Sequence, residues 1–115
     1  MIVDDICVFI PSKDFDLSTR FYEALGFENV YSAEALVMFR HGQNTFYLQD
    51  FYQQGLAENL MILLSVVDIQ KVLPVLESMH EFRPKYDPIV EQPWGKVIAL
   101  WGPSGELWHI TQFND

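Results

Sequence analysis

Residues 6–25, ICVFIPSKDFDLSTRFYEAL, and residues 60–79, LMILLSVVDIQKVLPVLESM, can be laid one upon the other. Asp14 then falls on Asp68, Phe21 on Val75, Tyr22 on Leu76, Glu23 on Glu77 and Leu25 on Met79, at a constant offset of 54. Each copy opens with an apolar run and passes an Asp suited to accept hydrogen bonds from the bare N–H groups of a helix start. Each then continues with apolar residues at helical spacing. The second halves pair at an offset of 60: Val37 with Val97, Met38 with Ile98, Gly42 with Gly102, Gln49 with His109. A duplicated unit is expected to build its ligand site where the two copies meet.

Working outward, each copy reads as strand, helix, three strands. The first has a strand over 5–10, a helix from Asp14 or Asp16 to Leu25 with Gly26 at its C-cap, and strands near 27–32, 36–41 and 44–51. His41-Gly42-Gln43-Asn44 reads as a hairpin turn. Residues 52–59 form a polar connector. The second copy has a continuous apolar strand over 60–67, and Asp68 then caps a helix carrying Val72, Leu73, Leu76 and Met79. Pro74 removes a backbone donor and disfavours the helical conformation at Leu73, so a late start or a kink is expected. The Pro-rich stretch 82–93 accounts for the change of offset, and 96–101 with 106–113 make the closing hairpin. The expectation is one α+β domain over 1–115, made of modules 1–53 and 58–115.

Composition narrows the function classes. The chain has 115 residues, half of them hydrophobic and 15% aromatic, enough for one core and too few for two independent ones. A net charge of −9 with no basic stripe argues against nucleic acid. No apolar run approaches the roughly 20 residues needed to cross a bilayer. The start, Met-Ile-Val-Asp-Asp, lacks the positive region of a signal peptide, so a cytoplasmic protein is expected. Cys7 is the only cysteine, which leaves no internal disulfide and no cysteine-based zinc site. There is no phosphate-binding glycine loop and no serine nucleophile elbow.

The stretches PSKDFDLSTRFYEALGF (11–27) and WGKVIALWGPSGELWHITQ (94–112) resemble the bleomycin resistance proteins. These belong to the glyoxalase I/bleomycin resistance/extradiol dioxygenase (vicinal oxygen chelate) superfamily. The resemblance spans essentially the whole chain and implies two βαβββ modules in tandem, whose curled mixed sheets form a cleft. It also implies a homodimer. In the superfamily's enzymes, four cleft-facing positions hold a divalent metal, and the resemblance places Cys7, Gln49, Met61 and His109 there. A hard divalent ion prefers carboxylate oxygen and imidazole. Of these four, only His109 is a conventional ligand, so the metal set looks dismantled, and no cofactor is expected. A Cys7–His109 nucleophilic pair is a further candidate that lacks a third, orienting group.

With Phe39, Tyr47 and Trp101, these four residues make the candidate ligand cleft. Aromatic rings in an acidic protein suit a flat, cationic or aromatic ligand. The leading expectation is a metal-free binding protein of the bleomycin-resistance type that sequesters such a small molecule without transforming it. The alternative is a metal-dependent lyase or isomerase of glyoxalase or dioxygenase kind with an atypical ligand set. A third reading is a module with a vestigial cleft.

Overall fold

The computed structural model describes residues 1–115. Asp14 opens α1 (Phe15–Leu25) from an extended conformation, its carboxylate accepting from the Leu17 N–H at 3.1 Å. Gly26 ends the helix at φ +121°, a left-handed conformation that costs glycine little. Around it lie β1 (Phe9–Pro11), β2 (Glu28–Ala33), β3 (Leu36–His41) and β4 (Asn44–Gln49), in the sheet order β1-β4-β3-β2. β1 runs parallel to β4, and the rest of this sheet is antiparallel. The two-residue loop Gly42-Gln43 closes the hairpin as expected, with Gly42 at φ +61°.

The second sheet repeats the plan with β5 (Met61–Ser65) parallel to β9 (Leu107–Phe113), and β9 antiparallel to β8 (Gly95–Trp101). Where the first copy uses one strand, β2, the second uses two short ones, β6 (Lys85–Tyr86) and β7 (Val90–Gln92), both paired to β8. Pro88 lies between them and has no N–H to give to a ladder, which accounts for the interruption. Asp68 caps a 3₁₀ turn over Ile69–Lys71, and α3 (Val72–Ser78) follows. The helix starts late, so Pro74 falls in its first turn, where a missing N–H costs nothing.

Two expectations are corrected. β1 is three residues long and begins at Phe9, not at residue 5, although the Val8 carbonyl still accepts from the Tyr47 N–H. The polar connector contains a short helix, α2 (Gln54–Asn59), because Ala57 is buried and draws one turn onto the fold. No helix is long and apolar enough to cross a membrane.

One face of each sheet, together with α1 and α3, forms a common core of Ile10, Phe39, Phe46, Tyr22, Leu76, Leu100, Trp108 and their neighbours. Strand alternation sends the other face of each sheet outward. Those outward faces position the candidate site.

Candidate functional site

The outward face of the first sheet carries Cys7, Phe9, Tyr47 and Gln49 in strand alternation. Phe9 and Tyr47 stand in register, and their rings stack at 4.8 Å with planes 12° apart. Phe9 is 49% exposed, so this aromatic platform faces solvent within one chain. The outward face of the second sheet carries Met61, Leu63, Leu107, His109, Ala99 and Trp101, with His109 in register with Leu63 and Ala99. Met61 and Leu63 are 60% and 53% exposed, an unusual state for apolar residues of a strand with a parallel neighbour. The sheet orders leave β1 and β5 as edge strands, each with one unpaired side.

Six of the seven expected cleft residues therefore lie on outward faces. Phe39 does not: it is fully buried, with its ring centroid 5.4 Å from that of Phe46 and 6.0 Å from that of Tyr22. The hairpin register pairs Phe39 with Phe46, and Phe46 alternates with Tyr47, so Phe39 and Tyr47 occupy opposite faces. The two-residue turn already contained that information.

The residues at the metal positions do not fit a divalent ion. Cys7 lies beside Thr45, Sγ to Oγ1 3.2 Å, whereas Gln49 pairs with Pro11. Cys7 and Gln49 are thus four residues apart along the ladder, roughly 13 Å at strand rise. Met61 is in register with Leu107, two positions or roughly 7 Å short of His109. A thioether, a neutral amide and a thiol held elsewhere leave His109 as the one conventional donor. The Cys7–His109 pair is not assembled by a shared ladder either: Cys7 precedes β1 of the first sheet, whereas His109 lies on β9 of the second. Cys7 Sγ donates instead to Asp5 Oδ2 at 3.4 Å. Asp5 is held below the ordinary carboxylate value, chiefly by the Thr45 hydroxyl and then by the Ile6 N–H and the thiol.

A hollow of about 400 Å³ lies at the seam between the two repeats, with Leu25, Phe27, Leu64, Val66, Val75 and Ile110 in its walls. It contains none of the seven expected residues.

Sequence reasoning also passed over Glu106. This residue is fully buried, accepting from Tyr22 Oη on Oε2 at 2.8 Å and from the Ser104 N–H on Oε1 at 2.9 Å. Trp108 Nε1 in turn donates to Tyr22 Oη at 2.9 Å. Burial raises the Glu106 carboxyl above its usual range, against the pull of these donors. Burial also pushes the Tyr22 phenol well above 10.0, with the Glu106 charge adding to it. A lone Glu after a Gly-Pro-Ser-Gly turn reads as a solvated charge; only packing shows that it faces inward.

No family model matches the chain, and no curated protein does. Solved structures do. A bleomycin-binding protein complexed with bleomycin is similar at 25% identity and a TM-score of 0.78, covering 97% of this chain and 100% of that one. A bleomycin resistance determinant encoded on the transposon Tn5 is similar at 24% identity and a TM-score of 0.81, covering 98% and 100%. TnmS3, an antibiotic binding protein from Streptomyces sp. CB03234, shares the fold at 18% identity and a TM-score of 0.82, covering 99% of both chains.

Proposed function

The chain has the fold of the glyoxalase/bleomycin resistance/dioxygenase superfamily, with bleomycin-resistance-like members among its structural neighbours, and we propose on that basis that it is a small-molecule binding protein of that type. Its ligand is a flat, aromatic and positively charged molecule, bleomycin being the precedent among the similar structures. The observation that carries this reading is the stacked Phe9–Tyr47 pair, presented on an open face of an acidic protein. Such a face offers stacking and cation–π attraction, worth about 0.5–2 kcal/mol per contact, and holds no group arranged to make or break a bond.

One chain leaves this site half built. The two outward faces carry exposed apolar residues, and each sheet ends in an unpaired edge strand. A homodimer covers both when the first sheet of one chain curls against the second sheet of its partner, closing a cleft between Tyr47 on one side and Met61 and His109 on the other. Symmetry then gives two equivalent clefts.

The test is a tryptophan-fluorescence titration of chelator-treated protein with bleomycin, followed by mass spectrometry of the recovered ligand. Trp94 and Trp101 are both accessible enough to report. The expected result is saturation at one ligand per chain with the ligand recovered unchanged. Absence of binding, binding only after a divalent metal is restored, or a modified ligand would each overturn the reading.

A further inference from the structure

We propose that the hollow between α1, the bend at 82–85 and the β8–β9 loop is a second binding site, for a small planar aromatic carboxylate. It shares Trp101 with the outward face of the second sheet, but its charge preference is opposite to that of the sheet-face site and it does not depend on that site's ligand.

The hollow measures about 410 Å³, within the usual range for small-molecule pockets. Its walls include Leu17, Phe21, Phe82, Arg83, Lys85 and Trp101. Three of these six are aromatic, so a flat ring is the shape of guest they favour. Phe21 and Phe82 meet edge to face at 5.9 Å. Lys85 Nζ stands 4.6 Å from the centre of the Trp101 ring. Arg20 lies over one of these walls, its guanidinium carbon 5.9 Å from the centre of the Phe82 ring.

Charge decides the rest. The protein holds only seven lysines and arginines against sixteen acidic residues, yet Arg83 and Lys85 both line this hollow and Arg20 lies over the Phe82 ring of its wall. Arg20 is paired with Asp16, which is the one salt bridge of the chain. Arg83 and Lys85 face the hollow with no carboxylate partner. The nearby acids do not fill that role: Asp16 is committed to Arg20, Glu106 lies beneath Gly102 with its oxygens on Tyr22 and Ser104, and Glu81 and Asp87 make no ion pair. The loop offers no spare backbone donors. The N–H groups of Gly102 and Gly105 are bonded to the carbonyls of Glu106 and Gly102, and that of Ser104 to the Glu106 carboxylate. Recognition of an anion here therefore falls to the two side chains. A single negative charge suits two unpaired cations within an otherwise repulsive acidic field.

Arg83 is also the only non-glycine residue at positive φ, at +47°. Its N–H closes the 3₁₀ turn onto the His80 carbonyl. Glycine adopts that conformation more readily than arginine, so the bend itself does not call for an arginine, whereas anion recognition does.

The experiment titrates the ¹⁵N-labelled protein with 2-naphthoate at low ionic strength, following the tryptophan indole N–H signals, with Trp101→Phe to assign the relevant one. Saturable shifts at Trp101 are expected. Arg83→Gly keeps the bend and removes the cation, so it should fold normally and weaken 2-naphthoate at least tenfold, with Lys85→Gln adding a further loss. Neutral 2-naphthylmethanol should bind at least tenfold more weakly than the acid. No shift at Trp101, equal binding of acid and alcohol, or undiminished affinity in the folded Arg83→Gly variant would each refute the proposal. Bleomycin titration of Arg83→Gly separates the two sites, because that affinity should not change.

Discussion

Tyr22 and Glu106, 84 residues apart in sequence, are joined by a 2.8 Å hydrogen bond in which the phenol donates to the carboxylate. The bond ties α1 of the first repeat to the β8–β9 loop of the second, in a region closed to water. Trp108 Nε1 donates to the same phenol oxygen, so Tyr22 is at once donor and acceptor. A buried carboxyl group satisfied only by neutral donors is costly to disturb, since each lost partner leaves a desolvated polar group.

Removing the hydroxyl alone should therefore be expensive. Tyr22→Phe takes a donor from Glu106 and the acceptor from Trp108 while keeping the ring in the aromatic cluster. A loss of about 2–4 kcal/mol is expected in urea unfolding. A change below 1 kcal/mol would show that water replaces the phenol.

Glu106 also sets a pH dependence. Its carboxyl keeps its proton in the folded state to higher pH than in the unfolded chain, where it titrates near 4.5. The folded state thus binds more protons between the two values. This group's contribution to stability is fully present below about 4.5 and is lost as pH rises through the folded value. Asp5, lowered from 3.8, acts the other way, favouring the fold above that value and losing its contribution below it. The difference in unfolding free energy between the native protein and Glu106→Gln, measured from pH 4 to 8, isolates the Glu106 effect. The native protein should lose stability relative to the variant over that range; a flat difference would refute the assignment.

Phe39 and Tyr47 should separate stability from binding. Phe39→Ala empties a fully buried site and should cost about 3–5 kcal/mol. Tyr47→Ala should cost far less, because the ring is only partly buried, yet weaken bleomycin about tenfold by removing the stack with Phe9. Denaturation and fluorescence titration on the two variants check both halves.

Gly95 opens β8 in contact with the end of β9. A Cβ there would run into the Gln112 carbonyl oxygen and the Phe113 Cα, both backbone atoms that cannot swing aside. Gly95→Ala should destabilise by about 2 kcal/mol or more and expose the 95–113 ladder to hydrogen exchange.

Leu63 tests the assembly. Leu63→Glu places a charge on an outward, half-exposed position, which a monomer would tolerate with little change in stability. In a homodimer with a shared cleft it should both dissociate the protein in light scattering and abolish bleomycin binding. A monomeric native protein at micromolar concentration would sink the dimer.

The repeat, the Asp14 and Asp68 caps, the Gly26 stop, the 41–44 hairpin and a disturbed helix start at Pro74, by delay or by kink, were all legible in the sequence by itself. These are local matters: a cap, a turn and a periodic apolar face depend on residues within a few positions of each other, and the chain carries them openly. It also carried the outward facing of Tyr47 and Gln49 and the inward facing of Trp108, because strand alternation follows from parity. Tertiary structure alone decided that Cys7 meets Thr45 rather than Gln49, since the register of a parallel pair is set by packing across the α1 crossover and not by any turn. It alone turned Glu106 inward against Tyr22 and brought Arg83 and Lys85 to one hollow with Phe21 and Trp101. Such juxtapositions join residues tens of positions apart, and the packing of the whole core fixes them, so no stretch of sequence announces them.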